Sequence, residues 1–298
     1  MAEGNRFKWL ILCLFATLIA FVAQIIGSLI GLLAYCIPEM RKLREQGLLT
    51  DETANMVVEN ATVEGMGLCL LWAHILIIFC FALWFYYGCG RHKLREAKCA
   101  FAPKTLLVTI LVAGGICFFI NFAMPVIIEI IPKSIVDRYE ELMEQAGFGV
   151  DTLAIVASVL LAPFGEELAC RGVIFHYAKK AVADLENRRK AFWIANSIQA
   201  LMFGIMHANI IQGTYAFIMG LALGYLRHRY NSLAPAILAH MMINATSSFV
   251  WEPFASLFPE SYVVFAICAL VCLGVAFVGL RIGGPAEKSG EVANNKMA

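Results

Sequence analysis

Residues 166 to 171 read Glu-Glu-Leu-Ala-Cys-Arg, three charges set inside an otherwise apolar stretch that runs from Leu153 to Val173. A charge at the centre of a bilayer costs roughly 2.5 to 3.5 kcal/mol on insertion scales, so two carboxylates and a guanidinium placed there must be paired, wetted or in use. Two further polar pairs follow, Phe203 with His207 and His240 with Asn244. The members of each pair are four residues apart, as are Glu167 and Arg171, so on helices each pair shares one face. Glu166 is rotated by about 100° from Glu167 and can point elsewhere.

A carboxylate, two imidazoles and an amide that converge in a partly dry cavity can hydrolyse a bond. A glutamate with a nearby imidazole can take a proton from water, and a second histidine with an asparagine can donate hydrogen bonds to a developing oxyanion. No nucleophilic side chain is needed. The chain has no His-Glu-x-x-His zinc pattern and no Gly-x-Ser-x-Gly elbow on an apolar stretch. The string Gly147-Phe148-Gly149-Val150-Asp151 misses the Gly-x-Gly-Asp of membrane aspartyl proteases by one residue.

The elements that must carry these groups are membrane spans. Of the 298 residues 60% are hydrophobic and only 15% charged, and the mean hydropathy is +0.74, well above a soluble domain. Apolar runs long enough for a hydrocarbon core of about 30 Å occur near residues 8–35, 65–88, 105–131, 151–177, 191–209, 212–226, 232–250 and 261–280. The composition therefore predicts an all-α, polytopic bundle of about eight transmembrane helices. The organisation expected is residues 1–150 for three spans and their loops, 151–250 for the core bearing the polar motifs, and 251–298 for a last span and a disordered polar tail.

Counting spans from an inside N-terminus places 17 of the 23 Lys and Arg residues inside and five outside, with Arg171 within a span. The positive-inside rule thus puts both termini in the cytoplasm. The first apolar segment is too long for a secretory signal and lacks a small-residue cleavage site, so it reads as an uncleaved span. The ten cysteines are scattered singly, mostly inside spans, and read as reduced packing residues. The net charge of +1 gives no sign of nucleic acid binding.

Several breakers lie beside the polar groups. Pro163 and Gly165 precede Glu166 and predict a kink with a freed backbone carbonyl, while Pro235 fits the first turn of the seventh span. Gly220 and Gly224 form a small-xxx-small face that admits a close neighbour. The segments 36–64 and 132–150 carry acidic residues and are either amphipathic surface helices or solvated loops. Of the other polar residues in spans, His74 and Asn121 are expected to make interhelical hydrogen bonds, and Glu129 and His176 to reach the interface.

The ordered set Glu166-Glu167-x-x-x-Arg171, Phe203-x-x-x-His207 and His240-x-x-x-Asn244 resembles the three motifs of the type II CAAX prenyl endopeptidase and bacteriocin-processing protease family. The stretch from Gly220 to Asn244, with Gly224-Tyr-Leu, Asn231-Ser-Leu and Pro235-Ala-Ile-Leu-Ala-His240, carries the same likeness. The resemblance covers about a third of the chain. It implies an intramembrane glutamic endopeptidase in which Glu166 and His207 activate water, His240 and Asn244 stabilise the oxyanion, and Glu167, Arg171 and Phe203 support the site. It implies no cofactor, with zinc held by Glu166, His207 and His240 as the alternative. Ala169-Cys170 departs from the bulkier residues usual there; small residues either widen the cavity or pack.

The implied partners are membrane lipid and a peptide or protein substrate: a CAAX-like C-terminus, a leader peptide or a membrane segment. The compact loops suggest a bacterial plasma membrane. Two other classes fit the same residues, a catalytically inactive scaffold or bacteriocin self-immunity protein, and a transporter. No internal repeat supports transport.

Overall fold

Long apolar runs leave the backbone no polar partner except itself, and in lipid that requirement is met by helices. The computed structural model describes residues 3–89, 101–145 and 151–282, and among these residues every regular element is a helix. Eleven helices follow in order. They are α1 (Glu3–Glu45), α2 (Asp51–Ala61), α3 (Met66–Gly88), α4 (Pro103–Ile128), α5 (Lys133–Gln145) and α6 (Thr152–Ala181), then α7 (Arg188–Met206), α8 (Ile210–Tyr230), α9 (Ala234–Phe249), α10 (Trp251–Ala255) and α11 (Tyr262–Ile282). The protein is thus an all-α helical membrane bundle. Arg91, Lys93, Arg95 and Lys98 of the charge count, and the tail from Gly283 to Ala298, lie outside the described residues.

Eight of the helices coincide with the expected spans, but only α1, α3, α4, α6 and α11 are long and apolar enough to cross a membrane. The three that fall short bear most of the motifs. α9 has only 16 residues, about 24 Å of helix. α7 opens on Arg188, Arg189 and Lys190 and buries Asn196 and Gln199, and α8 ends on Arg227, His228 and Arg229. Helices packed among other helices need not be apolar all round. α11 by contrast exposes Val263, Leu270, Val271 and Phe277, a face suited to lipid tails.

Local chemistry explains the boundaries. Thr50 and Thr53 form a capping box at α2, and Asn187 accepts a hydrogen bond from Lys190 N at 3.0 Å to start α7. Asp151, one residue out of register with an aspartyl-protease motif, is the N-cap of α6 and accepts from Leu153 N at 2.8 Å. α1 runs on through Pro38 to Glu45, so part of the first acidic segment extends a span. The rest of that segment forms α2, and most of the second forms α5.

α6 is the central helix and touches α1, α3, α7, α8 and α9. α1 packs on α3 across Gly31, where a Cβ would stand 2.5 Å from Cys69 Cα, so only glycine permits the approach. α4 packs between α9 and α11. There Asn121 Nδ2 donates to Ser247 Oγ at 3.1 Å, an interhelical bond of the expected kind. Glu129 caps α4 and accepts from the Tyr262 hydroxyl at the start of α11. α7 and α8 are joined at Gly220 and Gly224: a Cβ on Gly224 would collide with Asn196 Oδ1, and Gln199 Nε2 donates to Gly220 O at 2.9 Å.

Candidate active site

Pro163 shapes the middle of α6. The helix passes through two π-helical stretches, Ala157–Leu161 and Leu168–Ile174, which flank an α-helical turn from Ala162 to Glu167. π turns inside α-helices are frequent at functional sites. In the first stretch Ala162 N donates to Ala157 O, five residues back. The same step would pair Ser158 O with residue 163, and proline has no N–H to give. Asn244 Nδ2 of α9 supplies the missing donor at 2.9 Å. The freed carbonyl expected beside Pro163 is therefore satisfied from a neighbouring helix, by one of the two amide hydrogens of Asn244.

On the next turn of α6, Glu167 and Arg171 are fully buried, and Arg171 Nη1 stands 2.9 Å from Glu167 Oε1. The pairing expected from their spacing is present. The guanidinium also lies over the Phe203 ring, with Cζ 4.4 Å from the centroid, so an aromatic face covers part of the charge. The contact with Glu167 is an ion pair without hydrogen-bond alignment, and none of the three guanidinium nitrogens has a hydrogen-bond partner among the described residues.

Glu167 Oε1 has a second partner. His240 Nδ1 lies 3.0 Å from it, and a carboxylate can only accept, so the proton sits on Nδ1 and the ring donates. Nε2 is then the outward nitrogen of the ring, and it stands 3.6 Å from Glu166 Oε2. His240 is 1% exposed, whereas the Glu166 side chain keeps 16% of its surface open. The order from the interior outward is Arg171, Glu167, His240, Glu166. A buried ion pair orients an imidazole, and the imidazole meets the accessible carboxylate.

His207 ends α7, and its Nδ1 donates to Phe203 O at 2.9 Å. Phe203 meets both imidazoles edge on, with centroids 4.9 Å from His207 and 5.8 Å from His240. His207 leads into a tight connection in which Ala208 takes φ +52°, a left-handed conformation costly for any residue with a Cβ. Asn209 then caps α8 by accepting from Ile211 N at 2.9 Å and Gln212 N at 3.1 Å. This constrained corner holds His207 at the edge of the cluster.

The structure thus gathers Glu166, Glu167, Arg171, Phe203 and His240 into one contact network, with His207 joined to it through Phe203. No ion pair or hydrogen bond links Glu166 to His207, and Asn244 spends one amide hydrogen on Ser158 O. Ala169 and Cys170 are fully buried, Cys170 Sγ lying 3.6 Å from Met206 Sδ, so the small residues there pack. Among the described residues no three of His, Cys, Asp and Glu come together at metal-ligand spacing. The Glu166, His207 and His240 side chains are not drawn together at that spacing.

Spacing does not reveal the fork at Glu167, which serves Arg171 and His240 together, nor the tie between Asn244 and Ser158. It also misses His74 of α3. That ring is buried, lies within electrostatic reach of Glu166, His207 and His240, and has no hydrogen-bond partner for Nδ1 among the described residues. The interhelical bond expected of His74 is not formed at that atom.

The fold and the cluster define a polytopic membrane helical bundle whose central helix carries a buried glutamate and arginine beside histidines from neighbouring helices. In the comparison with known families, residues 148–246, about a third of the chain, match the family described as Rce1-like, type II CAAX prenyl endopeptidase Rce1-like. The matched segment holds every motif residue named above, and the family it resembles is generally proteolytic. No curated protein and no solved structure matches the chain.

Proposed function

We propose that the protein is an intramembrane endopeptidase that hydrolyses a peptide bond in a membrane-associated substrate: a CAAX-like C-terminus, a leader peptide or a membrane segment. The observation that carries this reading is the graded line Arg171, Glu167, His240, Glu166, with charge fully buried at one end and an accessible carboxylate at the other. Such an arrangement costs stability unless its outer members do work.

In this reading Glu166 accepts a proton from water as the water oxygen attacks the substrate carbonyl carbon. The carbonyl π pair moves onto oxygen, and that oxyanion needs donors. His240 as the imidazolium, with Nδ1–H on Glu167 and a second proton on Nε2, supplies one, the second amide hydrogen of Asn244 another, and His207 completes the pocket through Nε2, its Nδ1 being committed to Phe203 O. When the tetrahedral intermediate collapses, the C–N bond breaks and the proton held by Glu166 passes to the leaving nitrogen. Glu167 keeps His240 in one orientation, and Arg171 offsets the charge of Glu167. Water is the nucleophile, so no acyl-enzyme forms.

The same reading places both termini in the cytoplasm of a bacterial plasma membrane, supported by 17 of 23 basic residues falling on one side. The test is Glu166→Gln, together with His207→Ala and His240→Ala, each compared with wild type by mass spectrometry of membrane peptides in matched strains. Glu166→Gln is expected to abolish a set of cleavage products while the protein accumulates normally. If all three variants leave the peptide profile unchanged at normal abundance, the proteolytic reading is wrong and a scaffold is favoured.

A further inference from the structure

His74 is 8% exposed, and its Nδ1 is buried with no hydrogen-bond partner among the described residues. A buried polar nitrogen left unmatched is costly, and native structures keep few of them without a use. Its position is specific. α3 lies directly on the turn that bears the base: a Cβ built on Gly165 would stand 3.0 Å from Ile77 Cγ2. Ile77 is three residues beyond His74, so the two share the α3 face that packs on α6. The charged and titratable groups within electrostatic reach of the ring are Glu166, His207 and His240. Glu166 thus has the His240 ring of α9 at 3.6 Å and the His74 ring of α3 within electrostatic reach.

The other polar groups nearby are already committed. Glu167 Oε1 serves Arg171 and His240, and Asn244 serves Ser158 O. His74 retains an unmatched nitrogen, and Glu166 retains oxygens that no backbone N–H binds. A water between them has the polar partners that an internal water requires.

We infer that His74 is a positioning residue for Glu166. Through one intervening water it holds the carboxylate from the α3 side, opposite His240, and so fixes the direction in which Glu166 faces the attacking water. It acts through Glu166 and does not touch the substrate. The inference rests on the reading of Glu166 as the base.

The test uses the full chain in detergent micelles with ¹⁵N-labelled histidine, the His74 ring signals being assigned by their loss in His74→Gln. In Glu166→Gln the His74 ring signals are expected to move and the balance between its two tautomers to change. Unmoved His74 signals overturn the inference, and this arm needs no substrate. A second arm follows cleavage of an internally quenched, farnesylated peptide ending in Cys-aliphatic-aliphatic-X, where wild type turns it over. His74→Phe keeps the volume and removes both nitrogens, and it is expected to lower kcat by about tenfold or more with KM unchanged. His74→Gln, which can still bind water, is expected to recover most of that loss. A merely structural histidine predicts the reverse, with Phe harmless and Gln damaging, and that result also overturns the inference. Failure of the underlying reading looks different: Glu166→Gln would itself still cleave.

Discussion

Replacing Arg171 by Met tests the buried line of charges most directly. The substitution keeps an unbranched side chain of similar reach and removes the cation from a site of zero exposure. Glu167 would then lie in the core with His240 alone, at 3.0 Å. Removing one partner of a buried ion pair typically costs 3–5 kcal/mol, about what leaving the other charge uncompensated costs. Loss of the guanidinium over Phe203 adds about 1–2 kcal/mol. At roughly 2–3 °C per kcal/mol for a chain of this size, the thermal midpoint of the micelle-solubilised protein should fall on the order of 10 °C.

The double variant Glu167→Gln/Arg171→Met removes both charges together and should regain more than half of the lost midpoint, because neither partner is stranded. It should nevertheless stay poorly active, since a neutral amide no longer holds His240 as a carboxylate does. The measurement is scanning fluorimetry of wild type and of the single and double variants, with proteolysis followed in parallel. An Arg171→Met midpoint within about 2 °C of wild type, or a double variant no more stable than the single, would refute the reasoning.

Three further outcomes follow from particular contacts. Gly31→Val places side-chain atoms where a Cβ alone already falls 2.5 Å from Cys69 Cα; it should destabilise the α1–α3 pair by at least about 1–3 kcal/mol, read as a lower thermal midpoint and reduced accumulation. Asn209→Ala removes the acceptor shared by Ile211 N and Gln212 N, costing about 1 kcal/mol in unfolding measurements and loosening the corner that holds His207, so kcat should fall as well. Asn244→Leu strands Ser158 O, a loss of about 1–3 kcal/mol, so its activity must be judged against Asn244→Asp, which retains the size of the side chain but not the donor; if both keep full stability, Asn244 is not the partner that Pro163 requires.

The polar motifs are legible in the sequence because helical spacing and membrane cost are strong constraints. Glu167 and Arg171 have to pair, and they do. Pro163 has to leave a carbonyl without a donor, yet nothing in the spacing names Asn244 as the group that replaces it. That answer depends on α9 lying beside the π-helical stretch of α6. His207 and His240 are both expected in the cavity, but which of them faces Glu166 is set by the depth and rotation of two helices with no short-range link. His74 reads as an ordinary packing histidine because a single polar residue on an apolar helix carries no periodic signal. Asp151, whose spacing misses the aspartyl-protease pattern by one residue, has an ordinary local task as the N-cap of α6.

The sequence alone determined that this chain folds as membrane helices and that charges inside the fourth apolar run must be compensated. Those conclusions follow from local terms, apolar length, helical periodicity and the cost of burying charge, which act whatever the neighbours are. Only the tertiary structure decided that Glu167 is divided between Arg171 and His240, that His240 turns its other nitrogen toward Glu166, and that His74 of α3 is buried with Nδ1 unpartnered among the described residues. Those arrangements depend on interhelical distances of a few ångströms, set where Gly31 and Gly165 let helices approach and where π turns rotate the α6 face, and no single segment encodes them.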